Sequence, residues 1–266
     1  MFDIAIIGAG VAGLSAALTA SARNKKTVVI SGAGIESSAM YKAEIVNNYL
    51  GMPEMSGRDM MNAFYSHAIA SGAEIISGRA MQIMAGNGRF MIQVEQEIIE
   101  ARAVILAVGV IRTKRVKNEE KFVGKGVSYC ATCDAMLYRG KKVAVVSQTS
   151  EGAEDIKLLI EVCGKDNVKI IDSEVKEIIG NETVTAVVTE NETIECDGVF
   201  FIREAMPIES LIYGLETKNG VIAIDSDGKT NIKGVFACGD CAGAPYQAAK
   251  AAGEGLVAAL SAAKIV

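Results

Sequence analysis

The chain has 266 residues, half of them hydrophobic, and a formal net charge of −5 at pH 7. This length allows one large domain or two small ones, and the acidic balance argues against nucleic-acid binding. Because no apolar run reaches the roughly 18 residues of a membrane helix and the N-terminus lacks the basic flank of a signal peptide, we expect a cytoplasmic protein without a membrane partner.

The first predicted elements form a strand–helix–strand unit. An apolar run over 2–7 predicts a strand, the Ala- and Leu-rich run over 11–22 predicts a helix, and the β-branched run over 27–30 predicts a second strand. The elements predicted further along are a helix over 57–71, strands over 73–76, 90–94 and 104–107, a second strand–helix–strand unit over 142–146, 151–162 and 168–171, and a strand over 234–237 followed by a helix over 247–263.

The turn between the first strand and the first helix reads Gly-Ala-Gly-Val-Ala-Gly, a complete G-x-G-x-x-G in the context that binds a dinucleotide. Gly8 allows the tight turn, Gly10 lets the backbone approach a pyrophosphate, and Gly13 lets helix and strand pack closely. The acidic residue that usually ends the second strand is absent, since Ser31-Gly32 stands there. The ribose contacts must therefore differ from the standard pattern, and the motif alone does not choose between FAD and NAD.

A second motif favours FAD. The strand predicted over 234–237 is followed by Gly239-Asp240, where the Gly lets backbone come close and the Asp can accept hydrogen bonds from a ribityl or ribose hydroxyl. Such a turn is a weak signal by itself, but it stands in one chain with the first fingerprint. We therefore expect FAD as the cofactor.

The strand–helix–strand pattern occurs twice, beginning near residues 2 and 142. This repetition predicts an α/β protein with two Rossmann-like, three-layer ββα domains of dinucleotide-binding type, the second inserted into the first. The first domain would comprise residues 1–112 and 221–266 and bind FAD. The second would comprise residues 113–220, a redox-disulfide domain with a degenerate NADPH-type fold.

Cys130 and Cys133 are spaced by two residues and followed by Asp134, and such thiols can close and reopen a small disulfide by exchange. Zinc binding is the alternative, because a second C-x-x-C stands at Cys238 and Cys241. Zinc sites usually place their cysteine pairs within tens of residues, whereas more than a hundred intervene here. We therefore expect redox chemistry and no metal, with the four other cysteines buried as small apolar residues.

Four segments of the chain resemble the low-molecular-weight thioredoxin reductases, and the resemblance extends over essentially the full length. The segments are residues 6–16, 46–51, 126–146 and 234–255, of which the third, around Cys-Ala-Thr-Cys-Asp, is highly specific. The resemblance implies a homodimeric flavoprotein that reduces thioredoxin or a thioredoxin-like protein.

The same resemblance implies a role for each residue of the two sites. Cys133 would face the flavin, Cys130 would attack the target disulfide, and Asp134 would donate and accept the proton of the thiols. The residues expected to contact FAD are Gly8, Gly10, Val11, Ala12, Gly13, Ser31, Gly32, Asn48, Ala107, Gly109, Gly239, Asp240, Gln247 and Ala248.

One departure from the family pattern concerns the reductant. Nicotinamide-dependent members have a second G-x-G-x-x-A/G where residues 147–152 read Ser-Gln-Thr-Ser-Glu-Gly, and a His-Arg-Arg cluster for the 2′-phosphate where residues 172–174 read Asp-Ser-Glu. Carboxylates at both places would repel phosphate. The pattern resembles the pyridine-nucleotide-independent branch, represented by ferredoxin-dependent flavin thioredoxin reductases. Nine Lys/Arg against three Asp/Glu in residues 112–142 suit an acidic ferredoxin.

Two alternatives remain open from the sequence. One is an enzyme of the same type that uses NAD(P)H in an atypical way or takes electrons from another low-potential donor. The other is a non-catalytic flavin and thiol redox sensor, which the Asp beside the cysteine pair disfavours because a sensor needs no proton-transfer group.

Overall fold

The chain folds into two compact units, one formed by Met1–Ile111 with Leu211–Val266 and the other by Arg112–Ser210. We call them the first and the second unit. The computed structural model describes residues 1–32, 34–109, 116–147, 152–202 and 208–266.

Within those residues the chain contains both helices and strands, and none of the helices has the length and hydropathy that a transmembrane segment needs. The helices are α1 (Val11–Ala22), α2 (Gly57–Ala70), α3 (Ala131–Asp134), α4 (Ala153–Cys163), α5 (Ile208–Leu211) and α6 (Ala248–Ala263). The strands are β1 (Phe2–Ile7), β2 (Thr27–Ser31), β3 (Glu74–Ser77), β4 (Ala80–Gly86), β5 (Arg89–Val94), β6 (Glu97–Leu106), β7 (Val127–Ser128), β8 (Val143–Ser147), β9 (Val168–Ile170), β10 (Val175–Gly180), β11 (Val184–Thr189), β12 (Thr193–Glu195), β13 (Gly198–Ile202), β14 (Thr217–Lys218), β15 (Val221–Ile222) and β16 (Val235–Ala237).

Strand β6 organises the seven-stranded sheet of the first unit. Its C-terminal half pairs in parallel with β1 on one side and β16 on the other, so that Leu106 lies between Ile7 and Ala237. Its N-terminal half pairs antiparallel with β5, which continues to β4, while β2 and β3 extend the parallel part beyond β1. The C-terminal ends of β1, β2, β6 and β16 therefore lie along one edge of the sheet.

Helices α1 and α6 cover one face of the parallel strands. Ile4, Ile6 and Ile105 point into the same buried cluster as the alanines of both helices. Small residues let the two helices approach closely, since a Cβ on Gly255 of α6 would lie 2.2 Å from the carbonyl oxygen of Ala12 in α1. This close approach fixes where the N-terminus of α1 lies relative to α6.

The second unit has three layers. A parallel sheet in the order β7-β13-β8-β9 lies between α4 and the antiparallel sheet β10-β11-β12. Val143 and Val145 of β8 pack with Leu159 of α4, while Ala144 and Val146 join the cluster on the opposite face. Because successive side chains of β8 are buried on opposite faces of the sheet, the whole strand is a continuous apolar run. The predicted fold class, an α/β protein with two dinucleotide-binding-type units, is confirmed.

The return from the second unit to the first occurs earlier than the sequence indicated. The prediction was near Gly220, whereas the division falls between Ser210 and Leu211. The reason is a parallel bridge between Ile212 and Ile83, which joins the residues after α5 to the sheet of the first unit. The other predicted boundary, at Arg112, lies outside the described residues.

The contact between α1 and α6 generates a stability prediction. Gly255→Ala should lower the free energy of unfolding by about 1–3 kcal/mol, because the new methyl group would overlap the Ala12 carbonyl. The matched control is Gly253→Ala in the same helix, where a Cβ meets nothing within 4 Å. That exposed substitution should leave stability unchanged or raise it by up to about 1 kcal/mol through helix propensity. Equal effects of the two variants in urea unfolding would contradict this account.

Candidate functional site

Gly8 and Gly13 are required by backbone packing, whichever ligand binds beside them. Gly8 has a φ of +112°, and a Cβ on it would lie 2.3 Å from the Ala107 carbonyl oxygen. A Cβ on Gly13 would lie 1.9 Å from the carbonyl oxygen of Gly8. Both distances are far below van der Waals contact, so these two glycines seat α1 on the end of β1.

Gly10 is different, because a Cβ there would meet nothing within 4 Å. Gly10 is the N-cap of α1, and the helix has neither a side-chain cap nor an acidic residue in its first turn. The free N–H groups and the positive end of the helix dipole therefore adjoin open space. The residues present fit the pyrophosphate of FAD, since a Cβ at this position would extend into the space that the phosphates need.

Asn48 and Gln247 lie together although 199 residues separate them. The Asn48 Nδ2 group donates to Gln247 Oε1 at 2.8 Å, and both side chains are exposed. Gln247 is the N-cap of α6, which begins at Ala248 and also lacks a side-chain cap and an acidic first turn. Three of the predicted FAD contacts are thus assembled at one helix N-terminus.

The remaining predicted FAD contacts follow the C-terminal ends of the parallel strands. Ser31 is the buried last residue of β2, and Gly32 after it is exposed. Ala107 directly follows β6, and Gly109 has a φ of +72° with open space where a Cβ would be. Open α/β sheets bind ligands in the crevice at this edge. The turn with Gly239 and Asp240 follows β16, and Val11 and Ala12 open α1.

Two residues of α6 hold the turn that carries Asp240, and the sequence reading missed both. Glu254 accepts the Gly239 N–H at 2.9 Å, and Lys250 donates to the carbonyl oxygens of Gly243 at 2.6 Å and Gly239 at 3.3 Å. Lys250 and Glu254 also form an ion pair at 3.1 Å. Burial raises the pKa of Asp240, with Lys250 opposing the shift and Glu254 adding to it. Their i, i+4 spacing in the helix after the Gly-Asp turn is the signal that points to them.

Cys130 lies in the second unit, between β7 and the helical turn α3. It is disulfide-bonded and only 7% exposed. The side chain of Cys133 lies outside the described part of the chain, and its backbone belongs to α3. Thr132 Oγ1 lies 3.3 Å from Cys130 Sγ, and because a disulfide sulfur carries no proton, the hydroxyl is the donor.

Ser128 connects Cys130 to Asp134, although the sequence reading did not single it out. The Ser128 hydroxyl lies 2.6 Å from Asp134 Oδ2, and the Cys130 N–H donates to Ser128 Oγ at 3.2 Å. The Asp134 N–H in turn donates to the Cys130 carbonyl oxygen at 3.2 Å. A serine two residues before the first cysteine is the signal, since Ser side chains readily bond the backbone two residues on.

A buried carboxylate holds the residue that precedes Cys130. Glu119 is 1% exposed and accepts hydrogen bonds from the Tyr129 hydroxyl at 2.9 Å and from the Val116 N–H at 2.8 Å. Because both oxygens have donors, the cost of burying this carboxylate is offset. The segment over residues 129–134, which carries Cys130 and Asp134 and is called the redox turn below, is therefore fixed from both sides. Glu119 holds it through Tyr129, and Ser128 holds it at the other side.

The four other cysteines are buried free thiols. Burial raises the pKa of Cys196 to about 12 and of Cys241 to about 11, and it raises the pKa values of Cys163 and Cys238. Thiols of this kind stay protonated at neutral pH and are poor nucleophiles. In the part of the chain that the structure describes, no three His, Cys, Asp or Glu side chains are grouped as metal ligands.

The surface that follows the redox turn is apolar and basic. Met136 and Leu137 are 60% and 67% exposed. Arg139, Lys141 and Lys142 after them are also exposed. Large exposed apolar side chains of this kind mark protein contact sites when they adjoin a functional group.

The second unit repeats the strand–turn–helix arrangement with different chemistry at the turn. Residues 148–151 of the degenerate fingerprint lie outside the described residues, but the residues on either side are described. A Cβ on Gly152 would lie 2.5 Å from Ser147 Oγ, so that side chain fills the space beside the turn. The first turn of α4 carries Glu154 and Asp155, in contrast to α1.

Carboxylates also surround Lys176, the first lysine after the end of β9. Lys176 forms ion pairs with Glu174 at 2.7 Å and Glu190 at 2.9 Å. The hydrogen bond to Glu174, followed by that to Glu190, raises the pKa of Lys176. Asp172, between β9 and this group, is exposed. The segment after β9 therefore presents acidic side chains and a lysine that is already paired.

The chain matches the family model described as pyridine nucleotide-disulphide oxidoreductase over residues 2–148 and 149–255. It is 31% identical to a thioredoxin reductase of Bacillus subtilis (strain 168), with 98% of this chain and 93% of that protein covered.

Two solved structures are also similar. A ferredoxin-flavin thioredoxin reductase from Clostridium acetobutylicum is 37% identical with a TM-score of 0.85, covering 99% of this chain and 97% of that one. The atypical thioredoxin reductase TRi from Desulfovibrio vulgaris Hildenborough is 29% identical with a TM-score of 0.78, covering 100% and 98%.

The open space beside Gly10 predicts that Gly10→Ala weakens FAD binding without impairing folding. The thermal midpoint of the cofactor-free protein should stay unchanged, because the added methyl group meets no protein atom. Affinity for FAD should fall by roughly tenfold or more, because backbone and pyrophosphate can no longer approach. Fluorescence titration of the stripped protein with FAD measures the loss, and Gly253→Ala serves as the control that should bind normally.

Thiol reactivity tests the assignment of the cysteines. After reduction, the native protein should not react with iodoacetamide at neutral pH at Cys163, Cys196, Cys238 or Cys241, because burial raises the pKa of these thiols and keeps them protonated. Unfolding in guanidinium should expose all six cysteines. Rapid labelling of Cys238 or Cys241 in the native protein, detected by peptide mass spectrometry, would be inconsistent with their placement.

Proposed function

The chain belongs to the pyridine nucleotide-disulphide oxidoreductase family as a thioredoxin reductase-type, FAD-dependent disulfide oxidoreductase, and on this basis we propose that ferredoxin supplies its electrons and thioredoxin receives them. One observation carries the choice of donor. The helix N-terminus of the first unit is free of acidic residues, whereas that of the second unit carries Glu154 and Asp155.

The two helix N-termini differ in what they can bind. An uncapped N-terminus without carboxylates stabilises a pyrophosphate, as at α1. At α4, two carboxylates already interact with the helix dipole and repel further negative charge. The paired state of Lys176 removes a cation that a 2′-phosphate would need nearby. These features support a reductant other than NADPH.

The described residues of the second unit also favour an acidic protein partner. The side chains of Lys117, Lys121 and Lys125 are exposed, as are the three basic residues after the redox turn. Of the predicted basic stretch, residues 112–115 lie outside the described part. Exposed positive charge raises the rate of encounter with an acidic protein such as a ferredoxin. Exposed Met136 and Leu137 give a protein substrate an apolar contact beside the disulfide.

FAD, when bound, supplies the chemistry that converts single-electron donation into two-electron reduction of a disulfide. In our proposal Cys130 attacks the target disulfide, Cys133 resolves the mixed disulfide, and Asp134 holds the proton exchanged with the thiols. The fourteen FAD contacts predicted from the sequence are retained as proposals. We assign FAD to the first unit and the redox disulfide to the second, and we propose a homodimer.

Anaerobic titration distinguishes the possible donors. Photoreduced ferredoxin should bleach the absorbance of the oxidised flavin, and thioredoxin should then restore it. NADPH or NADH at about 1 mM, the upper end of common KM values, should leave the flavin oxidised because neither finds a phosphate site. The variant Cys130→Ser should still accept electrons from ferredoxin and fail to reduce thioredoxin. Fast bleaching by NADPH would show that the acidic helix N-terminus does not exclude the nucleotide.

A further inference from the structure

We propose that Ser128 is a positioning residue for Asp134 during thiol–disulfide exchange at Cys130, an inference that rests on the proposed function. Ser128 is 4% exposed and ends β7, where it lies opposite Phe200 of β13. A hydroxyl at the end of a buried, paired strand has a fixed position. Ser128 can therefore fix the position of groups that bond to it.

The hydrogen bonds of Ser128 assign its donor and acceptor roles. Its oxygen lies 2.6 Å from Asp134 Oδ2 and 3.3 Å from the Cys130 carbonyl oxygen. A hydroxyl has one proton, and the shorter bond to a charged acceptor is the stronger of the two. The hydroxyl thus donates to Asp134 and accepts the Cys130 N–H at 3.2 Å.

This arrangement limits the rotation of the Asp134 carboxylate. One oxygen is bound to Ser128, so the other keeps a single orientation relative to the redox turn. The same hydroxyl holds the Cys130 backbone, and the Asp134 N–H bonds to the Cys130 carbonyl. Ser128 therefore sets the position of the proton carrier and of the attacking residue together, through its bonds to the Asp134 carboxylate and the Cys130 backbone.

The position of the Asp134 carboxylate matters in the second half of the thiol–disulfide exchange. The Cys130 thiolate attacks one sulfur of a disulfide, the S–S bond breaks, and one thiolate leaves. The Cys133 thiol then transfers its proton to the Asp134 carboxylate and attacks the Cys130 sulfur. A new Cys130–Cys133 bond forms, the second thiolate leaves, and two electrons have passed from the dithiol to the substrate. A displaced carboxylate slows this proton transfer.

The test uses the FAD-loaded protein, reduced with dithiothreitol and desalted anaerobically, and the aromatic disulfide 5,5′-dithiobis(2-nitrobenzoate) as substrate. Stopped-flow absorbance follows release of the aromatic thiolate. Ser128→Ala should slow exchange by roughly 5- to 50-fold, the scale of a misplaced catalytic group. Ser128→Thr, which restores the hydroxyl, should recover most of the rate. In an Asp134→Asn background, Ser128→Ala should cause a much smaller further loss, which reflects only its bond to the Cys130 backbone.

A control variant separates positioning from loss of stability. Thr189→Val removes another buried hydroxyl of the second unit, which bonds the backbone of Glu192, and should leave the exchange rate unchanged. Equal slowing by Ser128→Ala with and without Asp134 would assign Ser128 a merely structural role and overturn the inference.

Failure of the inference can be told apart from failure of the proposed function. No effect of Ser128→Ala overturns the Ser128 role while Asp134→Asn still slows exchange. If Asp134→Asn is silent, the roles of both residues are overturned together. Neither result tests the proposal that ferredoxin is the electron donor, because dithiothreitol is the reductant in this assay.

Discussion

Close backbone approach to α1 is the constraint on which the first unit depends. Gly8 and Gly13 seat the helix on β1, a Cβ on Gly239 would lie 2.7 Å from the Cβ of Ala12, and Gly255 brings α6 against the same residue. A side chain at any of these glycines would push α1 away from its neighbours. The turn after β1, the turn after β16 and the start of α6 therefore meet around one helix, which is how residues distant in sequence come to share one candidate FAD site.

The chain uses the strand–turn–helix unit twice, with opposite electrostatics. At α1, Gly10 adjoins open space and no acidic side chain in the first turn opposes the helix dipole. At α4, the side chain of Ser147 at the end of β8 fills the space beside the turn, and Glu154 and Asp155 interact with the helix dipole. The same fold thus favours a phosphate at one turn and disfavours it at the other. In the second unit, Glu119 and Ser128 hold the redox turn in place.

Strong local signals in the sequence predicted the main strands and helices. The polar contacts that hold the turns were not predicted. The bounds of β1 and of α1 follow from the apolar periodicity, and both are confirmed. The antiparallel strands β10 to β12 were missed, although β11 reads Val-Thr-Ala-Val-Val-Thr, a β-branched run that indicates a strand. Lys250 and Ser128 were missed because their partners, the Gly243 carbonyl oxygen and the Asp134 side chain, come near them only through the folding of the intervening turns.

The placement of α6 has a consequence for the order of assembly during synthesis. The contact between Asn48 and Gln247 joins a residue translated before the second unit to a residue translated after it. Folding on the ribosome proceeds from the N-terminus, so the second unit emerges while the sheet of the first still lacks β16. The second unit can therefore fold early, whereas the candidate FAD site is complete only after α6 has left the ribosome.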